Sequence, residues 1–311
     1  MSVITPDLQA IRKQNERRLL FDRLRRYRFI YLMMIPVLVY FLVFSYYPMM
    51  LGIYNSFREI KLLGNASFVG WKNYQTIFAS PVYSQAFVNT LMVGTGTFLL
   101  QTAWGLVLAL AMSELRKKIS RSFFQTISYI PNLLSWSVVG SIWITLLSPT
   151  GLLNSVLELI GGEEFRTIVF MSERNYARGI MIFTGAWKGA GYTAALLMAA
   201  IVAIDPTLYE AASIDGATRF QQITRITVPC IVPTIKTVVV LGVMGILRNF
   251  DQIFIMSNSS ILDKVRNLLY LIYNDGIVQF KVGPASAAAT IVLLATMVIS
   301  FFVRRLIGYD K

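Results

Sequence analysis

Six stretches of the chain, at about residues 29–53, 86–112, 123–148, 178–203, 231–256 and 284–303, are each long and apolar enough to cross a bilayer, which takes roughly 20 mainly apolar residues per helix. Few folds survive that pattern. In hydrocarbon every backbone N–H and C=O must be satisfied inside the protein, and segments of this length achieve it as α-helices. A mean hydropathy of +0.58 and a charged fraction of only 14% point the same way. The expected fold is therefore an all-α integral membrane protein with six transmembrane helices over residues 29–311, preceded by a basic arm over residues 1–28. The first stretch runs past the length of a signal-peptide core and has no A-x-A pattern behind it, so it is read as a retained span.

An even number of spans puts both termini on one side, and the basic residues say which. That side carries the eight cations from Arg12 to Arg28, Arg116, Lys117, Lys118 and Arg121 in the second-to-third loop, Arg219 and Arg225, then Arg304, Arg305 and Lys311. The opposite side carries Arg58, Lys61, Lys72, Arg166, Arg174, Arg178, Lys264, Arg266 and Lys281. The bias places both termini in the cytoplasm. A net charge of +13 would also suit a nucleic-acid partner, but these cations are scattered among loops beside apolar spans, without a compact basic domain. Topology and contact with the lipid bilayer account for them better, and no nucleic acid is expected. There is no histidine, and Cys230 is the single cysteine, so metal sites and disulfides within one chain are not expected.

Between the fourth and fifth apolar stretches lies a polar insert, residues 205–229, which this orientation puts in the cytoplasm. Asp205 is a candidate N-cap and Pro206 occupies the first helical position, where its missing N–H does no harm. Asp215-Gly216 breaks the helix, because glycine takes the left-handed conformation that ends one helix and releases the next at an angle. Beyond the break, Phe220, Ile223 and Thr227, with Ile226, form one apolar face, and Pro229 is expected to end the insert. Outside the spans, residues 68–74 (FVGWKNY) predict a turn packed by aromatics. Residues 152–162 (LLNSVLELIGG) predict a short helix ended by two glycines, too short to cross. Asp263, Lys264 and Arg266 make residues 258–282 an external amphipathic segment rather than a seventh span. The arm from Asp7 to Arg28 is either an interfacial helix or a solvated one.

Catalytic machinery is absent from the sequence. No G-x-x-x-x-G-K-[ST] run occurs, and Gly94-Thr95-Gly96 lies inside an apolar span, where it predicts close helix packing. No Ser or Cys stands beside a credible base, so the chain is not expected to be an enzyme. Ionisable residues inside spans are the second signal, since charge in the bilayer marks a polar path or an internal pair. Lys188 lies in the fourth stretch. Arg248 and Asp251 lie in the fifth at i and i+3, where they either neutralise each other or line a path. Lys188 either lines a path or pairs with Asp251. Trp136, Trp143, Trp187, Tyr192 and Asn249 complete the candidates, and Pro131 predicts a kink in the third stretch.

The run Tyr209-Glu210-Ala211-Ala212-Ser213-Ile214-Asp215-Gly216-Ala217, followed by Ile226-Thr227-Val228-Pro229, resembles the E-A-A, x3, G, x9, I-x-L-P loop of binding-protein-dependent ABC transporter permeases. Resemblance covers most of the chain from Tyr31 to Arg305. Phe68-Val69-Gly70-Trp71-Lys72-Asn73-Tyr74 is similar to the F-V-G-x-x-N-Y segment of carbohydrate importers, and Asn249-Phe250-Asp251-Gln252-Ile253 to their F-D-x-I stretch. Where many relatives read T-x-G-G-P, this chain reads Ser257-Asn258-Ser259-Ser260, and it looks most like the oligo- and polysaccharide types. The resemblance implies the type I ABC importer permease fold in a bacterial cytoplasmic membrane, working by alternating access. It makes Tyr209, Glu210, Ala211, Ala212, Ser213, Asp215, Gly216, Ala217, Phe220 and Ile223 a coupling helix for a cytoplasmic ABC ATPase dimer, which binds ATP and Mg while this chain holds no cofactor. Other implied partners are a second, sister permease, an extracellular or periplasmic solute-binding protein, and a carbohydrate. The residues alone leave open an ion-gradient-driven secondary transporter or channel using Lys188 and Asp251, which gives no reason for the capped insert.

Overall fold

The structure, a computed structural model, describes residues 26–61, 66–162 and 165–308. The basic arm lies outside the described residues as far as residue 25. The described residues are mostly helical, with one short ribbon and irregular connections, and fall into two compact units that divide after Tyr54.

In the first unit, helix α1 (Arg28–Asn55) is strongly apolar, with a hydropathy of 2.2 over its best window. One wide π-type turn, Leu42–Tyr46, interrupts it, and no side chain in its α-helical parts is buried.

The second unit opens with β1 (Arg58–Glu59) and β2 (Ser67–Phe68), paired antiparallel with Arg58 opposite Phe68. Helix α2 (Lys72–Ala79) follows. Phe57, Trp71 and Tyr74 pack with ring centroids 5.0–5.4 Å apart, the aromatic turn expected from the sequence. Asn73 Nδ2 closes it by donating to the carbonyls of Ser56 and Arg58.

Helix α3 (Pro81–Ser113, 33 residues) is about 50 Å long, well beyond a hydrocarbon core of about 30 Å. Its predicted span began at residue 86. The third apolar stretch is not one helix: α4 (Lys118–Leu133) and α5 (Trp136–Leu146) meet at 100°. Sequence placed a kink at Pro131, which lies inside α4. The chain turns instead at Leu134 and Ser135, both extended, and the Ser135 hydroxyl accepts from Val138 N to cap the new helix. A proline three residues upstream weakens the ladder, but a capping residue is needed to restart it. Helix α6 (Leu152–Gly161) ends where expected, with Gly162 at φ +65°.

Helix α7 (Arg174–Val202) and helix α8 (Pro206–Ile214) meet at 70°. Helix α9 (Arg219–Gly245) begins inside the insert and continues past Pro229 into the fifth apolar stretch, so the insert and that stretch share one helix. The π-type turn Ile223–Thr227 lies immediately before that proline, and such a widening absorbs the missing N–H. The fifth span was expected to reach residue 256. Helix α9 stops at Gly245, the chain opens over 246–250, and a separate α10 (Asp251–Met256) follows, with Asp251 in its first turn where the helix dipole favours an anion. Then come α11 (Leu262–Val265), α12 (Leu268–Val278) and α13 (Val282–Leu306). Helix α12 is too short to cross a bilayer.

Among the described residues, four helices are long and apolar enough to cross a membrane, or up to six when each bent pair counts as one span. The core of this unit consists of three buried clusters, centred on Ala287 and Ala288, on Ala194 and Leu197, and on Met181 and Ile253. Small residues set the close approaches. A Cβ at Gly96 would stand 2.6 Å from Ile182 Cδ1, and one at Gly94 would collide with the Ile246 carbonyl. These are the packing roles expected of Gly94-Thr95-Gly96.

Candidate functional site

Two regions carry the residues singled out by the sequence. The insert is assembled from local chemistry. Asp205 caps α8 by accepting from Thr207 N at 2.9 Å; this hydrogen bond holds its carboxyl below the usual carboxylate range. Gly216, at φ +76°, ends α8 with the two reverse bonds of a Schellman turn, Gly216 N to Ser213 O and Ala217 N to Ala212 O, a conformation glycine takes without strain. Thr218 then starts α9 in a capping box with Gln221. Two side-chain bonds tie the helices together: Gln222 Nε2 donates to Ser213 Oγ at 2.9 Å, and the Tyr209 and Thr227 hydroxyls meet at 2.9 Å.

That geometry revises the expected apolar face. Thr227 is only 3% exposed and points inward to Tyr209, because the wide turn before Pro229 rotates it off the stripe. Ile223 is half-buried and Phe220 is 73% exposed. Ile214, at 87% the most exposed large apolar residue of the insert, stands beside the glycine break and belongs to the exposed set. Glu210, Ala211, Ser213, Asp215 and Gly216 are exposed, while Tyr209, Ala212 and Ala217 are half-buried.

The second region is a cavity of about 380 Å³ between α3, α4, α5, α7, α9 and α10. Lys188, Tyr192 and Asn249 line it, with Trp136 at its edge. Sequence reasoning missed its uncharged polar wall: Thr97, Gln101, Asn132, Thr193 and Gln252. Gln101 and Gln252 are legible in the sequence as amides inside apolar stretches, a weaker signal than charge. Gln252 is fully buried and satisfied, donating to Met181 O at 2.7 Å and Thr184 Oγ1 at 2.8 Å while accepting from Asn249 at 2.7 Å. Asn267 in turn donates to the Asn249 carbonyl. Gln101 reaches Thr193 at 3.1 Å.

Lys188 does not pair with Asp251. Its ammonium donates to the carbonyls of Pro131, Asn132 and Leu134 at 3.0, 3.0 and 2.8 Å. Arg248 and Asp251 are both exposed and do not line the cavity. They form no ion pair with each other among the described residues, because Arg248 lies in the open segment before α10 and the two never share a helix. Trp187 also faces away from the cavity, packing edge-on against Trp143 at 5.4 Å. On the side carrying the N-terminal end of α7, Arg178 and Asn89 organise the segment after α10: Arg178 donates to Asn89 Oδ1, and Asn89 to the carbonyls of Asp263 and Arg266. The Arg174–Asp263 ion pair borders this knot.

Among known proteins, residues 101–308 match a family described as binding-protein-dependent transport system inner membrane component. The chain is similar to the polygalacturonan/rhamnogalacturonan transport system permease protein YteP of Bacillus subtilis (strain 168), with 30% identity over 96% of this chain and 93% of that protein. It is also similar to a crystal structure of a bacterial ABC transporter involved in the import of the acidic polysaccharide alginate, with a TM-score of 0.84 and 32% identity over 93% of this chain and 98% of that one. A second crystal structure, of bacterial alginate ABC transporter in complex with alginate pentasaccharide-bound periplasmic protein, matches with a TM-score of 0.83 and 32% identity over 92% and 96% of the two chains.

Proposed function

This chain belongs to the binding-protein-dependent transport system inner membrane components, and from that premise we propose that it is the permease through which an ATP-driven importer moves an oligosaccharide or polysaccharide fragment into the cell. The observation that carries this reading is the arrangement of α7. One helix forms a wall of the polar cavity and, past Val202, bears the capped insert that leaves it at 70°. A site for a hydroxyl-rich solute and a rigid handle for mechanical work thus lie on one rod.

Each part takes a role in that reading. Ile214 and Phe220, together with Tyr209–Ala217 and Ile223, seat on a cytoplasmic ATPase dimer, where ATP and Mg are bound. An exposed apolar pair beside a fixed turn suits a groove. The amides and hydroxyls of Gln101, Thr193, Asn249 and Tyr192 offer donors and acceptors in the density that sugars require. Lys188 remains on the path through its position, whereas Trp187, Arg248 and Asp251 stand away from it. Taking the bent α4–α5 pair as the third span and α7 as the fourth, with α8 outside the bilayer, gives six spans with both termini, the arm over residues 1–28 and the insert in the cytoplasm, in line with the positive-inside bias. A sister permease completes the core, because one chain brings one insert and an ATPase dimer has two grooves. A solute-binding protein delivers the carbohydrate from outside, a role supported by the alginate transporter's complex with an alginate pentasaccharide-bound periplasmic protein.

Reconstitution into liposomes with the candidate ATPase, sister permease and binding protein tests this. ATP-dependent sugar uptake is expected, and Glu210→Lys abolishes it by placing a cation on the docking face while the chain stays in the membrane. Uptake that proceeds without ATP, or that is indifferent to Glu210→Lys, refutes the reading.

A further inference from the structure

Helices α4 and α7 are joined at two independent points. The first is Lys188, near the middle of α7 and about 20 Å along its axis from Arg174. Its Nζ contacts the carbonyls of Pro131, Asn132 and Leu134 and lies 5.6 Å from the Trp136 ring centroid. These are carbonyls that a helix leaves unpaired at its C-terminus, where the macrodipole also favours a cation. An ammonium has three protons, and all three are committed. The second point is Gly191, one turn further on: a Cβ there would fall inside the Ser128 carbonyl, so the two backbones touch. Helix α4 therefore cannot slide or tilt on α7 without breaking three charge-assisted hydrogen bonds at once and parting the backbones at Gly191.

Beyond Val202 the same α7 carries the insert, and beyond Leu133 the same α4 carries the 100° bend. Asn132 and Trp136, on either side of that bend, line the cavity. We propose that Lys188 is a positioning residue, a latch that makes α4 and α7 move as one body, so that a displacement of the insert is delivered to the bend and thereby to the cavity wall. This rests on the transport reading above. It gives Lys188 a task other than holding sugar, since its ammonium has no donor left for a solute.

The test uses the assembled transporter in liposomes. Spin labels go on Ser122 and Ala199, which line one groove between α4 and α7, with Cys230 replaced by serine. The label separation is expected to stay the same in nucleotide-free and nucleotide-trapped transporter; a change of more than about 5 Å, one helical turn, overturns the latch. Lys188→Met is expected to cut uptake about tenfold while ATP hydrolysis stimulated by the binding protein persists. Lys188→Arg, which keeps the charge and its donors, restores most uptake. Unimpaired uptake by Lys188→Met overturns the proposal, as does a raised half-saturating sugar concentration at an unchanged maximal rate, the signature of lost substrate contact. If Lys188→Met does not assemble, the label separation in the otherwise unsubstituted transporter decides. Absence of ATP-dependent uptake in that reference transporter defeats the transport reading instead, a separate outcome.

Discussion

The insert and the cavity are organised by opposite means. The hydrogen bonds that shape the insert join residues within about twenty positions of one another: Asp205 to Thr207, Gly216 to Ser213, Thr218 to Gln221, Tyr209 to Thr227. The cavity joins Gln101 to Thr193, Lys188 to Pro131 and Gln252 to Met181, residues that meet only after the helices have packed. A short-range motif keeps its shape while its host helix moves, and a long-range assembly changes shape when the helices do. That is the division expected between a handle and a gate.

Breaking the handle should have the largest effect. Gly216 sits at φ +76°, which proline, fixed near −65°, cannot adopt. Gly216→Pro is expected to lower uptake to background, a fall of about a hundredfold or more, while α3, α7 and α13 still insert. Membrane fractionation together with flux in liposomes reads both. Normal flux would show that the turn is not needed for force transfer, and the contrast between the two regions would lose its meaning.

Damage to the long-range packing around the cavity should be graded. At Gly191 even one methyl group meets the Ser128 backbone, which cannot rotate away as a side chain can. Overpacking of this kind destabilises by about 1–3 kcal/mol, so Gly191→Ala should melt several degrees lower in detergent and lose part of its uptake. Gln252→Leu keeps the volume of the side chain but removes the bonds to Met181, Thr184 and Asn249. Leaving buried polar groups unpaired costs about 1–3 kcal/mol. It should weaken uptake less than Gly191→Ala, because it removes hydrogen bonds without forcing two backbones apart. Equal melting temperatures for Gln252→Leu and the parent chain would show that the network contributes nothing.

The same division explains what the sequence disclosed. Asp205-Pro206 and Asp215-Gly216 were readable because caps act on neighbours two or three residues away, and the Gly161-Gly162 stop and the aromatic turn at residues 68–74 were readable for the same reason. Thr227 was assigned to the wrong face, because an ideal 100° step per residue takes no account of the wide turn before Pro229. The third and fifth apolar stretches hid their breaks: hydropathy averages over about twenty residues and does not register that Ser135 restarts a helix or that α9 stops at Gly245. Lys188 stands out in the sequence as a charge inside the fourth stretch. Its partners are three main-chain carbonyls 54–57 residues away, which no side-chain pattern reveals, so a partner was sought among acids such as Asp251.

The smallest effect, and the one that probes the handle most locally, belongs to its N-cap. Asp205 accepts from Thr207 N, and its folded-state pKa is lowered by that bond. A lowered value means that the carboxylate's contribution is complete above its ordinary pKa of about 4 and is lost only as pH falls through the folded value. The cap should therefore be indifferent to pH between about 5 and 8 and weaken in acid. Asparagine caps nearly as well as aspartate, and alanine does not. Amide exchange in α8, corrected for intrinsic rates, should be several-fold faster in Asp205→Ala than in the parent chain at neutral pH and close to the parent in Asp205→Asn. As pH falls through that lowered value the parent should approach the alanine variant while Asp205→Asn keeps its protection. Indistinguishable exchange of the parent and Asp205→Ala at neutral pH would mean that α8 is held by its contacts to Thr227 and Gln222 alone, and the handle would then owe its rigidity to packing, as the cavity does.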